Sequence, residues 1–171
     1  VRLLGTLVLP SFRKSSAEFR TTVSNPSGVR GKAELVFRFR NGKDERTFRH
    51  SFMLNGEKRQ RVKFSEAWKN PVLWNAENPR LYTQNLSLNI NGMPADTLPE
   101  RKFGFREAWV ENGEFRLNGL KTRYRMLTNP RLEHAAFANP RAAEQYVSGL
   151  KHLNFDTVRF NPNIMMNSSS L

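Results

Sequence analysis

Site chemistry needs nucleophiles, acid–base groups or metal ligands at workable spacing, and this chain is sparing with all three. It has no cysteine. Thiolate nucleophiles, disulfide frameworks and cysteine-held metals are therefore excluded, and the redox compartment is left open. Its three histidines, His50, His134 and His152, are scattered without metal-ligand spacing, so neither metal nor cofactor is expected. Glu133 and His134 stand side by side, a carboxylate and an imidazole able to hydrogen-bond ligand hydroxyls. Arg159 closes a short run of strand-forming residues as a fixed cation, with Asn161 just beyond it. Trp68, Trp74 and Trp109 could stack on a ligand ring, but packing is the expected use. His50 falls on an apolar strand face and is expected in the core or at its edge.

Charge is the strongest feature of the composition. The formal net charge is +13, and residues 30–63 hold 11 Lys/Arg against four Asp/Glu. Such a balance attracts polyanions: nucleic acid, acidic polysaccharide or an anionic membrane surface. It equally suits a solvated strand face that discourages edge pairing. The apolar runs fall far short of the roughly 20 residues a membrane span requires. No signal peptide is visible, and the start at Val1 rather than Met leads us to expect that the natural N-terminus lies upstream.

The elements that carry these residues read as strands up to about residue 110. Ala33, Leu35, Phe37 and Phe39 alternate with Lys32, Glu34, Val36, Arg38 and Arg40, which puts apolar side chains on one face and mostly charged ones on the other. Asn41-Gly42 then supplies a tight turn. Phe48, His50, Phe52 and Leu54 continue the pattern before Asn55-Gly56, and Gln60, Val62 and Phe64 alternate with Arg59, Arg61 and Lys63. Ala17, Phe19, Thr21 and Val23 form another run before Asn25-Pro26-Ser27-Gly28. Tyr82, Leu86, Leu88 and Ile90 form one before Asn91-Gly92. Runs over 1–9 and 102–110 bring the count to about seven strands. Seven short strands with regular turn signals predict a mainly β chain, an immunoglobulin-like β-sandwich over 1–111.

The texture changes after residue 112. Phe115-Arg116-Leu117-Asn118-Gly119 reads as a hairpin strand and turn, and 121–127 as a further strand. Asn139-Pro140 is a helix start, a capping side chain followed by proline at the first helical position. Ala142, Ala143, Tyr146, Val147, Leu150 and Leu153 then recur at helical spacing, and 155–160 reads as a strand. Strand, helix, strand is a βαβ unit of a parallel sheet, and one such unit cannot bury both faces of its strands. Residues 112–171 are therefore expected to be a truncated domain.

Three stretches matter together: Leu73-Trp74-Asn75-Ala76-Glu77-Asn78-Pro79-Arg80-Leu81-Tyr82, Lys102-Phe103-Gly104-Phe105-Arg106-Glu107, and Phe115-Arg116-Leu117-Asn118-Gly119. In this order and spacing they resemble the middle, immunoglobulin-like domain of glycoside hydrolase family 2, which includes β-galactosidases, β-mannosidases and β-glucuronidases. Each has a physical reading of its own. Trp74 is a large anchor before a turn, and Pro79 fixes the chain where the next strand begins. Gly104 marks a bulge or close backbone approach, and Asn118-Gly119 is a tight turn. The resemblance continues in Leu132-Glu133-His134-Ala135-Ala136-Phe137, similar to a loop after the first barrel strand. Phe155-Asp156-Thr157-Val158-Arg159-Phe160 is similar to the second barrel strand. Asp156 or Asn154 stands near the family's asparagine, an imperfect match, and Asn161-Pro162-Asn163 stands where many members carry a histidine turn.

The resemblance implies that residues 112–171 open an (β/α)8 catalytic barrel of a retaining glycosidase. Its two catalytic glutamates would sit on the fourth and seventh barrel strands, beyond Leu171. Glu133, Glu144 and Asp156 do not match those motifs, so the chain alone is expected to be inactive. Arg159, Asn161, Glu133 and His134 become the expected substrate contacts, with Arg159 near the catalytic carboxylates. The implied partners are a carbohydrate substrate and, in cis, a sugar-binding domain and the rest of the barrel. Degradation of external polysaccharide would place the parent protein in the periplasm or outside the cell. The competing reading is a non-catalytic basic sandwich that binds an acidic polymer. Nucleic acid is the weaker choice of polymer, because Phe37 and Phe39 point inward and leave no interleaved aromatics for base stacking.

Overall fold

The computed structural model describes residues 1–128 and 139–159, in a chain that divides into two compact units, Val1–Lys121 and Thr122–Leu171. In the first unit the strands are β1 (Arg2–Ser11), β2 (Ser16–Ser24), β3 (Arg30–Asn41), β4 (Asp44–Asn55), β5 (Arg59–Ala67), β6 (Tyr82–Ile90) and β7 (Met93–Phe103). They form two antiparallel sheets, ordered β1-β2-β5 and β4-β3-β6-β7. The two sheets share one core, so this unit is a β-sandwich.

Side-chain alternation decides which face each strand buries. On β3, Phe37 and Phe39 are 0% and 1% exposed while Arg38 and Arg40 are in solvent. Phe19 of β2 meets Phe37 across the sandwich at 4.7 Å and stacks on Phe64 at 4.8 Å between ring centroids. Trp68, fully buried after β5, packs on Phe39 at 4.8 Å. Each such ring contributes about 1.5–3 kcal/mol through removal of its apolar surface from water. His50 of β4 lies flat on Phe64 of β5 at 4.1 Å and so joins the two sheets, as its apolar face predicts. The tryptophan-to-tyrosine stretch is held from inside. The Tyr82 hydroxyl accepts from Val72 N–H at 2.7 Å and donates to the Asp44 carboxylate. Burial, then that bond to Asp44, pushes the phenol up to about 12.

One expected strand is replaced by two. Instead of a single run over 102–110, β7 ends at Phe103, and β8 (Ala108–Glu111) begins a small second hairpin sheet with β9 (Glu114–Leu117) and β10 (Leu120–Lys121). The Asn91-Gly92 turn, with φ of 50° and 82°, closes the β6–β7 hairpin. Pro94 hides β7 from a pattern reading, yet β7 is an edge strand, where a missing N–H costs little.

The second unit contains β11 (Met126–Thr128), α1 (Pro140–His152) and β12 (Thr157–Arg159). Strands β11 and β12 are parallel. Asn139 caps α1 by accepting from Ala142 N–H at 2.8 Å, with proline in the first turn, as its sequence predicts. No described residue of α1 is buried. Among the described residues, no helix is long and apolar enough to cross a membrane.

Candidate functional site

Arg159 is the last residue of β12 and is exposed there, registered beside Thr128 at the end of β11. Parallel strands put both residues at the C-terminal edge of the pair. A guanidinium at such an edge offers a fixed charge and a donor fork for a carboxylate. Asp156 stands at the other end. Its Oδ1 accepts from Arg125 N–H at 2.9 Å and from the Thr157 hydroxyl at 2.9 Å, and the Arg125 guanidinium lies 3.7 Å from Oδ2. It clamps the starts of the strands. Glu144 is exposed on α1. Glu133, His134 and Asn161 lie outside the described residues. Among the described residues, no group of three metal-capable side chains occurs.

The first unit assembles its own constellation from the three sequence motifs. Leu73 bridges Phe105, and Trp74 N–H donates to Phe105 O at 3.0 Å. A Cβ on Gly104 would stand 3.2 Å from Cβ, Cγ and Cδ1 of Trp74, so the indole occupies the space that glycine leaves. The Arg106 guanidinium covers the same ring at 4.2 Å. Asn118 is buried at the left-handed turn of the hairpin, with φ of 49°. Its amide donates to Trp74 O at 2.8 Å and accepts from Glu107 N–H at 2.9 Å, while its own N–H donates to Glu107 O at 2.9 Å. One asparagine thereby ties the first and second motifs to the third.

Glu107 extends the clasp to the β1–β2 turn. Its carboxylate accepts from Arg13 N–H at 3.0 Å, Arg13 Nε at 2.9 Å, Arg13 Nη2 at 2.6 Å and the Ser11 hydroxyl at 3.2 Å. Burial alone would raise this carboxyl, but the bonds from Arg13 and Ser11 outweigh it and hold the group below its ordinary value. Arg13 also lies 4.8 Å over Trp109, which stacks beside Phe12 at 6.5 Å. The tryptophans thus pack, as expected. Ser11 and Arg13 escaped the sequence reading because their partners are far along the chain and no periodicity links them. Every acid in this clasp is already paired, so its work is mechanical.

The comparisons with known proteins agree with the motifs. The family model described as "Glycosyl hydrolases family 2" matches residues 2–106, more than half of the chain. A β-galactosidase of Thermoanaerobacterium thermosulfurigenes is 33% identical over 81 residues, covering 47% of this chain and 11% of the relative. A solved glycosyl hydrolase family 2 member from Bacteroides cellulosilyticus superposes with a TM-score of 0.77 at 21% identity, over 94% of this chain and 23% of that one. A β-galacturonidase from Eisenbergiella tayi bound to galacturonate superposes with a TM-score of 0.57 at 26% identity, over 75% of this chain and 23% of that one. The chain therefore spans about a tenth of the curated relative and under a quarter of these solved ones. With a matched family model over its first strands and three motifs joined in space, the chain belongs to glycosyl hydrolases family 2.

Proposed function

We propose that this chain is the supporting segment of a glycoside hydrolase acting on O-glycosidic bonds of oligo- or polysaccharides. In this reading residues 1–111 are an immunoglobulin-like brace, and 112–171, with the β11–α1–β12 segment, open a catalytic (β/α)8 barrel. The observation that carries it is the family match over 2–106 followed by a parallel strand–helix–strand. Further support comes from α1, whose apolar stripe (Ala143, Val147, Leu150) buries none of its described residues and calls for further packing partners. Retaining hydrolysis takes an acid/base carboxyl and a nucleophilic carboxylate about 5–5.5 Å apart. In this reading both carboxyls are the glutamates that the family resemblance implies on the fourth and seventh barrel strands, and Glu133, Glu144 and Asp156 take neither role. Arg159 sits at the strand end where barrels of this kind place their sites. There its charge would keep a neighbouring nucleophile ionised.

The test compares purified 1–171 with the protein translated from the complete reading frame, on a panel of aryl glycosides. The complete protein is expected to turn over at least one of them and 1–171 none. In the complete protein, Arg159→Ala is expected to lower kcat about 10²–10³-fold, the cost of removing one preorganised electrostatic group. Turnover by 1–171 itself, or an unimpaired Arg159→Ala enzyme, refutes the corresponding part of the proposal.

A further inference from the structure

The basic residues between Arg30 and Lys63 divide over two opposite faces, and the two faces differ. On the outside of β4-β3-β6-β7 two of the cations are matched one to one, Arg40 with Glu45 at 2.7 Å and Arg49 with Glu34 at 3.1 Å, and Lys32 and Arg38 share that face. On the outside of β1-β2-β5 a single carboxylate serves the whole face. Register places Leu7, Arg20 and Lys63 in one row across that sheet, and Gly5, Thr22 and Arg61 in the next. Arg2, Ser24 and Arg59 continue the face at its edge. Its one carboxylate, Glu18, is shared between Arg20 at 2.5 Å and Lys63 at 3.1 Å. These bonds, from Lys63 first and then Arg20, hold Glu18 below its ordinary value. Arg2, Arg59 and Arg61 carry no ion pair among the described residues. The face thus sets five cations against one anion.

The same face is concave. An open groove of about 670 Å³ is lined by Gly5, Leu7, Arg20, Thr22, Arg61 and Lys63. Gly5 lines it beside open space, where a Cβ would meet nothing within 4 Å. Leu7 is 50% exposed along one wall. Same-side cations on β5 recur about every 6.8 Å, the two-residue repeat of an extended strand. Guanidinium groups in such a row bind planar carboxylates or sulfates through paired N–H donors. The outward residues of these rows include no aromatic, which removes the stacking platform that single-stranded nucleic acid requires.

We infer that the outer face of β1-β2-β5 binds an acidic glycan, its anionic groups along Arg61, Lys63 and Arg20 and its less polar ring face against Leu7 and Gly5. This binding belongs to the sandwich and does not depend on the catalytic reading above. It is measured with chain 1–171 by fluorescence anisotropy, using labelled oligogalacturonate, a heparin-derived oligosaccharide, a neutral galactan oligosaccharide and single-stranded DNA of matched charge. At least one acidic glycan is expected to bind, the carboxylated and sulfated probes identifying which anion is preferred, with affinity falling steeply as salt rises. Arg61→Glu/Lys63→Glu is expected to weaken binding about 100-fold, roughly tenfold for each charge-assisted hydrogen bond removed. Arg38→Glu/Arg40→Glu, on the opposite face, is expected to leave it nearly unchanged. Circular dichroism checks the fold of each variant, and Arg61→Gln/Lys63→Gln replaces the reversal if that variant does not fold. The inference is overturned by equal losses in the two double variants, or by no acidic-glycan binding at low salt. Binding of neutral glycan or DNA as tight as that of the acidic glycans also overturns it.

Discussion

Glu107 shows how one side chain can link distant parts of this fold. It sits 13% exposed and takes four hydrogen bonds from Ser11 and Arg13, some ninety residues earlier in the chain. The folded protein keeps this carboxyl ionised at pH values where the unfolded chain protonates it. Its contribution to stability is therefore complete above the ordinary carboxylate value of 4.5 and is lost as pH falls below it. Glu107→Gln is expected to cost about 1–2 kcal/mol at pH 7, since it replaces charge-assisted bonds by neutral ones. Urea unfolding at several pH values checks this: the difference between wild type and variant should shrink as pH drops from 6 towards 3. A difference that does not change with pH would show that the carboxylate's charge plays no part. Arg13 and Ser11 could not be read from the sequence, because their function arises only from this contact.

Among the elements, the chain from β7 into the β8–β9–β10 hairpin is the most constrained. Gly104 lies against Trp74, with Arg106 over the same ring and Asn118 bonded to the Trp74 carbonyl. The indole therefore has little room to retreat. Gly104→Ala is expected to destabilise the protein by about 1–3 kcal/mol, the usual cost of overpacking, with a change in tryptophan fluorescence at a native-like circular dichroism spectrum. An unchanged unfolding midpoint would mean that the contact at Trp74 is soft. The glycine's role was legible beforehand as a close backbone approach. The strand boundaries around it were not. The end of an edge strand at Phe103, then a turn, then a short new strand from Ala108 present the same local residue types as one longer strand.

Over the whole molecule, the hairpin Ala108–Lys121 falls within the same compact unit as the sandwich. Chain 1–121 is expected to unfold in one transition and to be more stable than 1–111, which loses every bond made by Asn118, by about 2–3 kcal/mol at roughly 1 kcal/mol per hydrogen bond. Equal denaturant midpoints for the two chains would show that the hairpin does not brace the sandwich. The sequence by itself determined the strands β2 to β6 and the capped helix, because burial on one face imposes a period and a cap imposes residue types. It also determined the family, because three motifs with separate physical roles stand in order along the chain. Tertiary structure alone decided which distant groups meet: Asn118 with Trp74, Glu107 with Arg13, His50 with Phe64. It also decided how the positive charge is shared between the two sheets. Arg38 and Arg61 look alike in an alternating pattern, but only the pairing of strands shows that they stand on the outer faces of different sheets, Arg61 in a row of cations served by one carboxylate.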